Sequence, residues 1–262
     1  MALDAKKLEK LAERVDDAAR QNQAITKLTA EFPELDFVDA YKIQRLSIGR
    51  RRERGDALVG MKMGLTSVAK MKQVGVHEPI YGHLTETMQL SDGDSISHAE
   101  QIHPRAEPEL AFLISDHLRG PVTPAQAMLY VEGVCAAIEV IDSRFENFEF
   151  KLPDVVADNA SSSRFVLGSK MVRPEEIDIG NLGVVFEVNG ETRQVGSTAA
   201  IYEHPARSLA ALANMLAEHD EEIEAGSIVL AGAATAAEFV HPGDHVCLRM
   251  DGLGEVRLFV VE

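Results

Sequence analysis

In His103-Pro104-Arg105-Ala106-Glu107-Pro108-Glu109-Leu110-Ala111-Phe112-Leu113 a β-strand begins, read as Arg105 to Ile114. Side chains alternate between the faces of a strand, so Glu107 and Glu109 project together about 7 Å apart, and Leu110 and Phe112 project the other way into a core. Two carboxylates on one face of an apolar strand repel each other and call for a counter-charge. A hard divalent cation fits, because magnesium prefers oxygen ligands. A third acid lies within Val134-Cys135-Ala136-Ala137-Ile138-Glu139-Val140-Ile141, a run so apolar that Glu139 also needs a partner. A solvated sheet edge also produces the Glu-x-Glu pattern. Glu139 in its apolar strand shifts the balance toward a metal site of three carboxylates, with positions left open for a chelating substrate.

Outward from this stretch, the C-terminal side reads mainly as strands and turns. Thr123-Pro124 opens a helix as N-cap and first helical residue. Asn189-Gly190, between Val184–Val188 and Thr192–Val195, marks a hairpin. Leu209, Leu212, Met215 and Leu216 mark a helix, and Ser227–Ala231, His245–Met250 and Glu255–Val261 are strands. Asp92-Gly93-Asp94 is read as a turn, since the rest of a calcium loop is missing. On the N-terminal side, Ala57–Met63 reads as a strand, and Thr66 can cap a short helix that Gly75 ends. Residues 5–20 carry Leu8, Leu11, Val15 and Ala18 at helical spacing. A second helix starts after Asp36, with Asp39 in its first turn and Phe37, Tyr41, Gln44 and Ile48 on one face, and ends at Gly55. The expected class is α+β, a small helical N-terminal region over residues 1–56 followed by a β-rich catalytic domain over residues 57–262.

Composition narrows the function. The 262 residues carry 42 acidic against 26 basic side chains, a net charge of −16. A nucleic-acid partner is not expected, because the short basic run Arg50-Arg51-Arg52 with Arg54 reads as the charged last turn of a helix. An anionic substrate would need a local cation. No stretch is apolar enough to span a membrane and no signal peptide is apparent, so the cytoplasm is the expected compartment. Cys135 and Cys247 sit in apolar strand-like segments and are expected to be buried free thiols.

Leu58-Val59-Gly60-Met61-Lys62-Met63-Gly64-Leu65-Thr66-Ser67 resembles the fumarylacetoacetate hydrolase superfamily. The resemblance narrows to the branch holding 2-oxopent-4-enoate hydratases and 4-oxalocrotonate decarboxylases. It continues through Gly75–Gly82, the Glu107/Glu109 strand, Glu139–Arg144, Ala157–Ser162, Ala225-Gly226-Ser227 and Gly232. It implies a mixed, rolled β-sheet domain, homo-oligomers, and association of the decarboxylases with the hydratase that takes their product. It also implies that Glu107, Glu109 and Glu139 hold magnesium, with manganese as an alternative, and that no organic cofactor is needed.

Within the branch, an acid follows the proline in the hydratases' Pro-Asp-(aromatic)-Gly block. Here Ile80 stands between Pro79 and Tyr81, and isoleucine cannot transfer a proton. The decarboxylase pattern is therefore implied, acting on a small unsaturated 2-oxo dicarboxylate in aromatic catabolism by the meta-cleavage route. Lys62 is assigned as cation or proton donor near the chelated end. Ser161, beside Asn159, is assigned to the substrate 1-carboxylate, Ile80 to an apolar wall for the departing carboxylate, and Thr235 to the pocket lining. Asp142 and Arg144 are expected to form a structural ion pair. Arg105 and His83 depart from the branch pattern, where lysine and an apolar residue are expected, and both are expected to flank the site. The rivals are a hydratase, a carbon–carbon hydrolase using His77-Glu78 to activate water, and a non-catalytic partner of the hydratase. The carboxylate trio with Lys62 argues against the last, since a scaffold has no use for repelling acids.

Overall fold

The computed structural model describes residues 3–68, 71–72, 76 and 78–262. The expected end of the Thr66 helix at Gly75, and His77, lie outside the described residues.

Helix Ala5–Gln21 is capped by the Asp4 side chain, which accepts from the Lys7 N–H, and it buries Leu8, Leu11, Val15 and Ala18. Helix Phe37–Glu53 is capped by Asp36, which accepts from the Asp39 N–H, and it buries Tyr41, Gln44 and Ile48. Phe37 does not join them: it is 40% exposed, because the first turn overhangs the core. The basic run ties the two helices together, with Arg50 Nε at 2.9 Å and Arg54 at 2.7 Å from the buried Asp16 carboxylate. Gln44, fully buried, donates to the carbonyls of Tyr81 (3.0 Å) and Val156 (2.8 Å), pinning this helix to the strand Ile80–Thr85 and to the short helix Leu152–Ala157.

Among the described residues, thirteen strands form two sheets. They are β1 (Leu58–Gly64), β2 (Ile80–Thr85), β3 (Gln89–Leu90), β4 (Ser95–Ser97), β5 (Arg105–Ile114), β6 (Val131–Ile141), β7 (Ser162–Leu167), β8 (Gly183–Val188), β9 (Glu191–Ser197), β10 (Ile228–Ala233), β11 (Glu238–Phe239), β12 (His245–Met250) and β13 (Gly254–Val261). The larger sheet runs β2-β1-β10-β5-β6-β7-β3, with β11 also paired to β5. It is mixed, since β1 runs parallel to β10 and β3 parallel to β7 while the other pairs are antiparallel. The smaller sheet runs β4-β13-β12-β8-β9 and contains the Asn189-Gly190 hairpin, both of whose turn residues have positive φ. The class is therefore α+β with a curled mixed sheet, as expected, but the separate five-stranded sheet was not anticipated.

One large core joins the N-terminal helices, the outer face of the larger sheet and the inner face of the smaller one, with Leu8, Ile43, Phe112, Ile138, Val246 and Leu258 among its members. The opposite face of the larger sheet carries a smaller apolar patch, Leu84, Met88, Ala111, Cys135, Ala137, Phe165 and Leu230. That second face holds the candidate site. Cys135 and Cys247 are buried free thiols, and burial pushes the Cys135 thiol up to about 11, which leaves it unreactive. Among the described residues no helix is long and apolar enough to cross a membrane.

Candidate active site

The antiparallel register of β5 and β6 sets Glu107 directly opposite Glu139, with Glu109 opposite Ala137. Strand alternation keeps Glu109 on the same face as Glu107. One carboxylate oxygen from each of the three lies within 4.8 Å of the other two. Glu109 and Glu139 are fully buried, and Glu107 is half-buried at the edge of the cluster. Burial raises the Glu109 carboxyl well above the usual carboxylate range, and Glu139 pushes it the same way against the pull of Lys62.

Each acid has a fixed orientation. Glu109 Oε2 accepts from the Gly232 N–H at 2.7 Å, while its Oε1 has no hydrogen-bond partner among the described residues. Gly232 is required there, because its φ is +108° and a Cβ would come within 2.3 Å of Thr66 Oγ1. Glu139 Oε1 accepts from the Ser162 hydroxyl at 2.9 Å, and its Oε2 lies 2.9 Å from Lys62 Nζ. Burial alone would lower the Lys62 pKa, but Glu139, Glu109 and Glu107 outweigh it and hold the ammonium above its usual value. Lys62 also donates to the Ala160 carbonyl at 3.2 Å.

That carbonyl comes from an unusual turn. Asn159, Ala160 and Ser161 all adopt left-handed φ, 52°, 50° and 59°, which non-glycine residues rarely do in succession. The surroundings hold it in place. Asn159 Oδ1 accepts from the His83 N–H at 2.7 Å, and its amide donates to the His83 carbonyl at 2.9 Å. Gly82 makes room, since a Cβ there would meet the Asn159 carbonyl oxygen at 2.6 Å. The Asn159 side chain thus holds the turn against β2, and Ser161, buried with its hydroxyl 3.5 Å from Asp158, lies two residues farther on.

Ile80 pairs with Gly64 as Gly82 pairs with Lys62, so Ile80 shares the Lys62 face. It is buried, and a Cβ on Gly64 would touch it at 3.1 Å. Thr235 lines a cavity of about 230 Å³ with Glu107, Met63, Gly64 and Thr66. Arg105 is likewise on the carboxylate face, two residues before Glu107.

Two expectations need correction. His83 pairs with Met61, one residue out of step with Lys62, so it faces away from the carboxylates and lines a separate cavity with Arg45, Arg52 and Glu221. Arg144 pairs with Asp158 rather than Asp142. The Asp142 carboxylate instead accepts the backbone N–H groups of Ile102 (2.8 Å) and His103 (2.7 Å) at the entry to β5. Arg144 donates to the Asp142 and Ser162 carbonyls at 2.7 and 3.0 Å, bracing the chain beside the left-handed turn. Burial raises the Asp158 carboxyl to about 6 in spite of Arg144.

The sequence reading assigned no role to Ser162 or to the Gly232 N–H. A glycine inside the apolar run 228–233 was the available sign of a close backbone approach, and Ser162 gave none. An all-oxygen donor set, a buried oxygen without a hydrogen-bond partner and excess negative charge together suit a hard divalent cation.

Comparison with known proteins places the chain among relatives of one fold. A 4-oxalocrotonate decarboxylase from Pseudomonas putida is 46% identical over 94% of both chains. A 2-hydroxyhexa-2,4-dienoate hydratase from Comamonas testosteroni is more distant, 33% identical over 96% of both chains. The structure of 4-oxalocrotonate decarboxylase from Pseudomonas putida G7, complexed with magnesium and adipate, superposes with a TM-score of 0.97 at 43% identity over 99% of both chains. The Fumarylacetoacetate (FAA) hydrolase C-terminal family matches residues 62–261, and on these findings the chain belongs to the fumarylacetoacetate hydrolase family.

Proposed function

We propose that the protein is a magnesium-dependent carboxy-lyase that converts (3E)-2-oxohex-3-enedioate to 2-hydroxypenta-2,4-dienoate and carbon dioxide in meta-cleavage degradation of aromatic compounds. The observation that carries this reading is the convergence of Glu107, Glu109 and Glu139 beside a buried Lys62, on a face where Ile80 stands in place of a proton-transferring acid. Its similarity to the decarboxylases over nearly the whole chain, at higher identity than to the hydratases, supports the same choice.

Glu107, Glu109 and Glu139 would hold the ion, which when bound supplies Lewis acidity toward the 2-oxo acid end of the substrate. The protein's own part is to position groups and exclude water. Loss of carbon dioxide from C6 breaks the C5–C6 bond, and the electron pair moves through C4 and C3 to the 2-oxo oxygen, giving a dienolate. Lys62, whose ammonium form the neighbouring glutamates favour, sets a positive charge where that oxyanion develops, acting electrostatically or as the proton donor to it. Ser161 is assigned to the 1-carboxylate, with Asn159 holding its turn in place. Ile80 and Thr235 line the space for the rest of the chain, where no acid delivers a proton to carbon. The conjugated ketone is the electron sink, so the reaction needs no organic cofactor.

The same proposal includes cytoplasmic homo-oligomers that associate with the hydratase, and a division into residues 1–56 and 57–262. The division is supported by the N-terminal helices, the last of which ends at Glu53, and by strands that among the described residues all follow residue 57. The test is to incubate the protein with magnesium and 2-oxohex-3-enedioate and identify the product by mass. Release of carbon dioxide with formation of the dienoate is expected, whereas efficient hydration of the dienoate without carbon dioxide release would assign the site to a hydratase.

A further inference from the structure

Arg105 stands on the carboxylate face of β5, at the end away from the apolar patch. Its guanidinium carbon lies 4.0 Å from the centre of the Phe148 ring and 4.1 Å from that of Phe239, so the planar cation is held between two aromatic rings. Phe239 is its direct neighbour across the β11–β5 pair, and Phe148 approaches on a backbone of positive φ, 59°. The group has no ion pair among the described residues, and its Nε is buried without a hydrogen-bond partner. A surface arginine serving only solubility would be mobile and hydrated. This one is covered on both faces by the rings, and its N–H donors make no hydrogen bond among the described residues.

Resting on the active-site reading above, we propose that Arg105 is the receptor for the far carboxylate of the substrate and selects dicarboxylic over monocarboxylic 2-oxo acids. The metal-side end of the substrate is fixed by the Glu107/Glu109/Glu139 cluster. Two residues along the strand, about 7 Å, separate Arg105 from Glu107, a span comparable with an extended six-carbon diacid. Guanidinium and carboxylate are matched planar forks, and the aromatic sandwich sets the fork in advance of binding.

The chemistry fixes the kinetic signature. The carboxylate that Arg105 would hold is the one that leaves as neutral carbon dioxide, so the contact is stronger with bound substrate than with the transition state. Losing the contact therefore weakens substrate binding and does not slow bond cleavage. Ile80 lies on the Lys62 face, and Arg105 stands on the carboxylate face two residues from Glu107 along β5.

The experiment uses the magnesium-loaded full chain and two probes, 2-oxohexanedioate and 2-oxohexanoate, which share the chelating end and differ only in the far carboxylate. By titration calorimetry the wild type is expected to bind the diacid roughly 10- to 100-fold more tightly, the range of one charge-assisted hydrogen-bonded contact. Arg105→Met should bring the two probes to within about threefold of each other and leave 2-oxohexanoate affinity unchanged, with KM for the substrate raised and kcat not lowered. Arg105→Lys should fall between, since an ammonium keeps the charge and loses the stacked fork. An unchanged probe ratio in Arg105→Met, or parallel weakening of both probes, would show that the sandwich only braces the loop and would overturn the proposal. Wild type that binds both probes equally refutes Arg105 alone. Wild type that binds neither counts against the active-site reading on which it rests.

Discussion

Replacing Glu109 with glutamine should make the metal-free protein more stable while abolishing its response to magnesium. Glu109 is fully buried, and its carboxylate belongs to a cluster whose oxygens lie within 4.8 Å of one another, with Lys62 as the neighbouring cation. At that separation, and an effective dielectric of about 20, each like-charge pair costs about 3.5 kcal/mol. Glu109 faces two carboxylates and one ammonium, so one repulsion is offset by the attraction and about one remains. Structural relaxation and partial protonation reduce the net gain to about 1–3 kcal/mol. Glutamine keeps the acceptor for the Gly232 N–H and adds a donor toward the remaining acids, so the cluster stays hydrogen-bonded. In wild type, magnesium at a hundred times its dissociation constant adds about 2.7 kcal/mol, a rise in Tm of roughly 5–10 °C for a chain of this size. The assay is thermal unfolding of both proteins by circular dichroism, in EDTA and in millimolar magnesium at pH 7.5. The expected pattern is crossed: the variant melts several degrees higher in EDTA and wild type gains far more from magnesium. A variant that melts below wild type in EDTA, or one that magnesium stabilises as much as wild type, would refute the claim that these carboxylates form a metal centre.

Lys62→Met should lower kcat by roughly two or more orders of magnitude, the cost of a lost transition-state charge contact, whereas unchanged kcat with a raised KM would confine Lys62 to ground-state binding. Ile80→Asp puts a negative charge in the path of an anionic substrate and should sharply reduce carbon dioxide release, measured beside 4-hydroxy-2-oxopentanoate formation from the dienoate; undiminished release would place Ile80 away from the substrate. Burial, with Arg45 and Arg52 nearby, pulls His83 down to about 4 from 6.5, so the fold favours the neutral ring, and that stability is complete above pH 6.5 and lost as pH falls toward 4. The gap corresponds to at most about 3 kcal/mol, and His83→Leu should remove this acid sensitivity in denaturant unfolding at pH 7 and pH 4.5; an equally acid-sensitive variant would place the effect elsewhere.

What the sequence showed and what it hid separate along one physical line. Alternation within a strand is local, so the shared face of Glu107 and Glu109 and the anomaly of Glu139 in an apolar run could be read from the residues themselves. Pairing between strands is not local. That Glu107 sits across from Glu139 depends on a register fixed by the packing of the whole sheet. His83 shows the cost of lacking it: Lys62 pairs with Gly82, and the one-residue offset turns His83 to the opposite face. Asp142 and Arg144 lie just beyond the end of β6, where alternation no longer governs direction, and long-range partners decided both. The turn at Asn159–Ser161 has no local signal at all, because three non-glycine residues in left-handed conformation are held there by Asn159, Gly82 and the neighbouring strand.

The same distinction bears on where chemistry can vary in this fold. The carboxylates and Lys62 are fixed by the pairing of β1, β10, β5 and β6, with Ser162 of β7 and Gly232 of β10 locking individual oxygens. Moving any of them requires shifting a buried strand, which a close-packed sheet resists. On the proposed reading the chelating end of the substrate would therefore meet a rigid framework. Ile80 stands at the start of β2, an edge strand, and Arg105, Phe148 and Phe239 stand where β5 emerges from the sheet beside a loop and the short β11. Single substitutions there change charge and shape without disturbing the pairing beneath. On this argument the choice between losing a carboxylate and adding water, and between one carboxylate and two, belongs to the rim, while electron withdrawal at the oxo group belongs to the sheet.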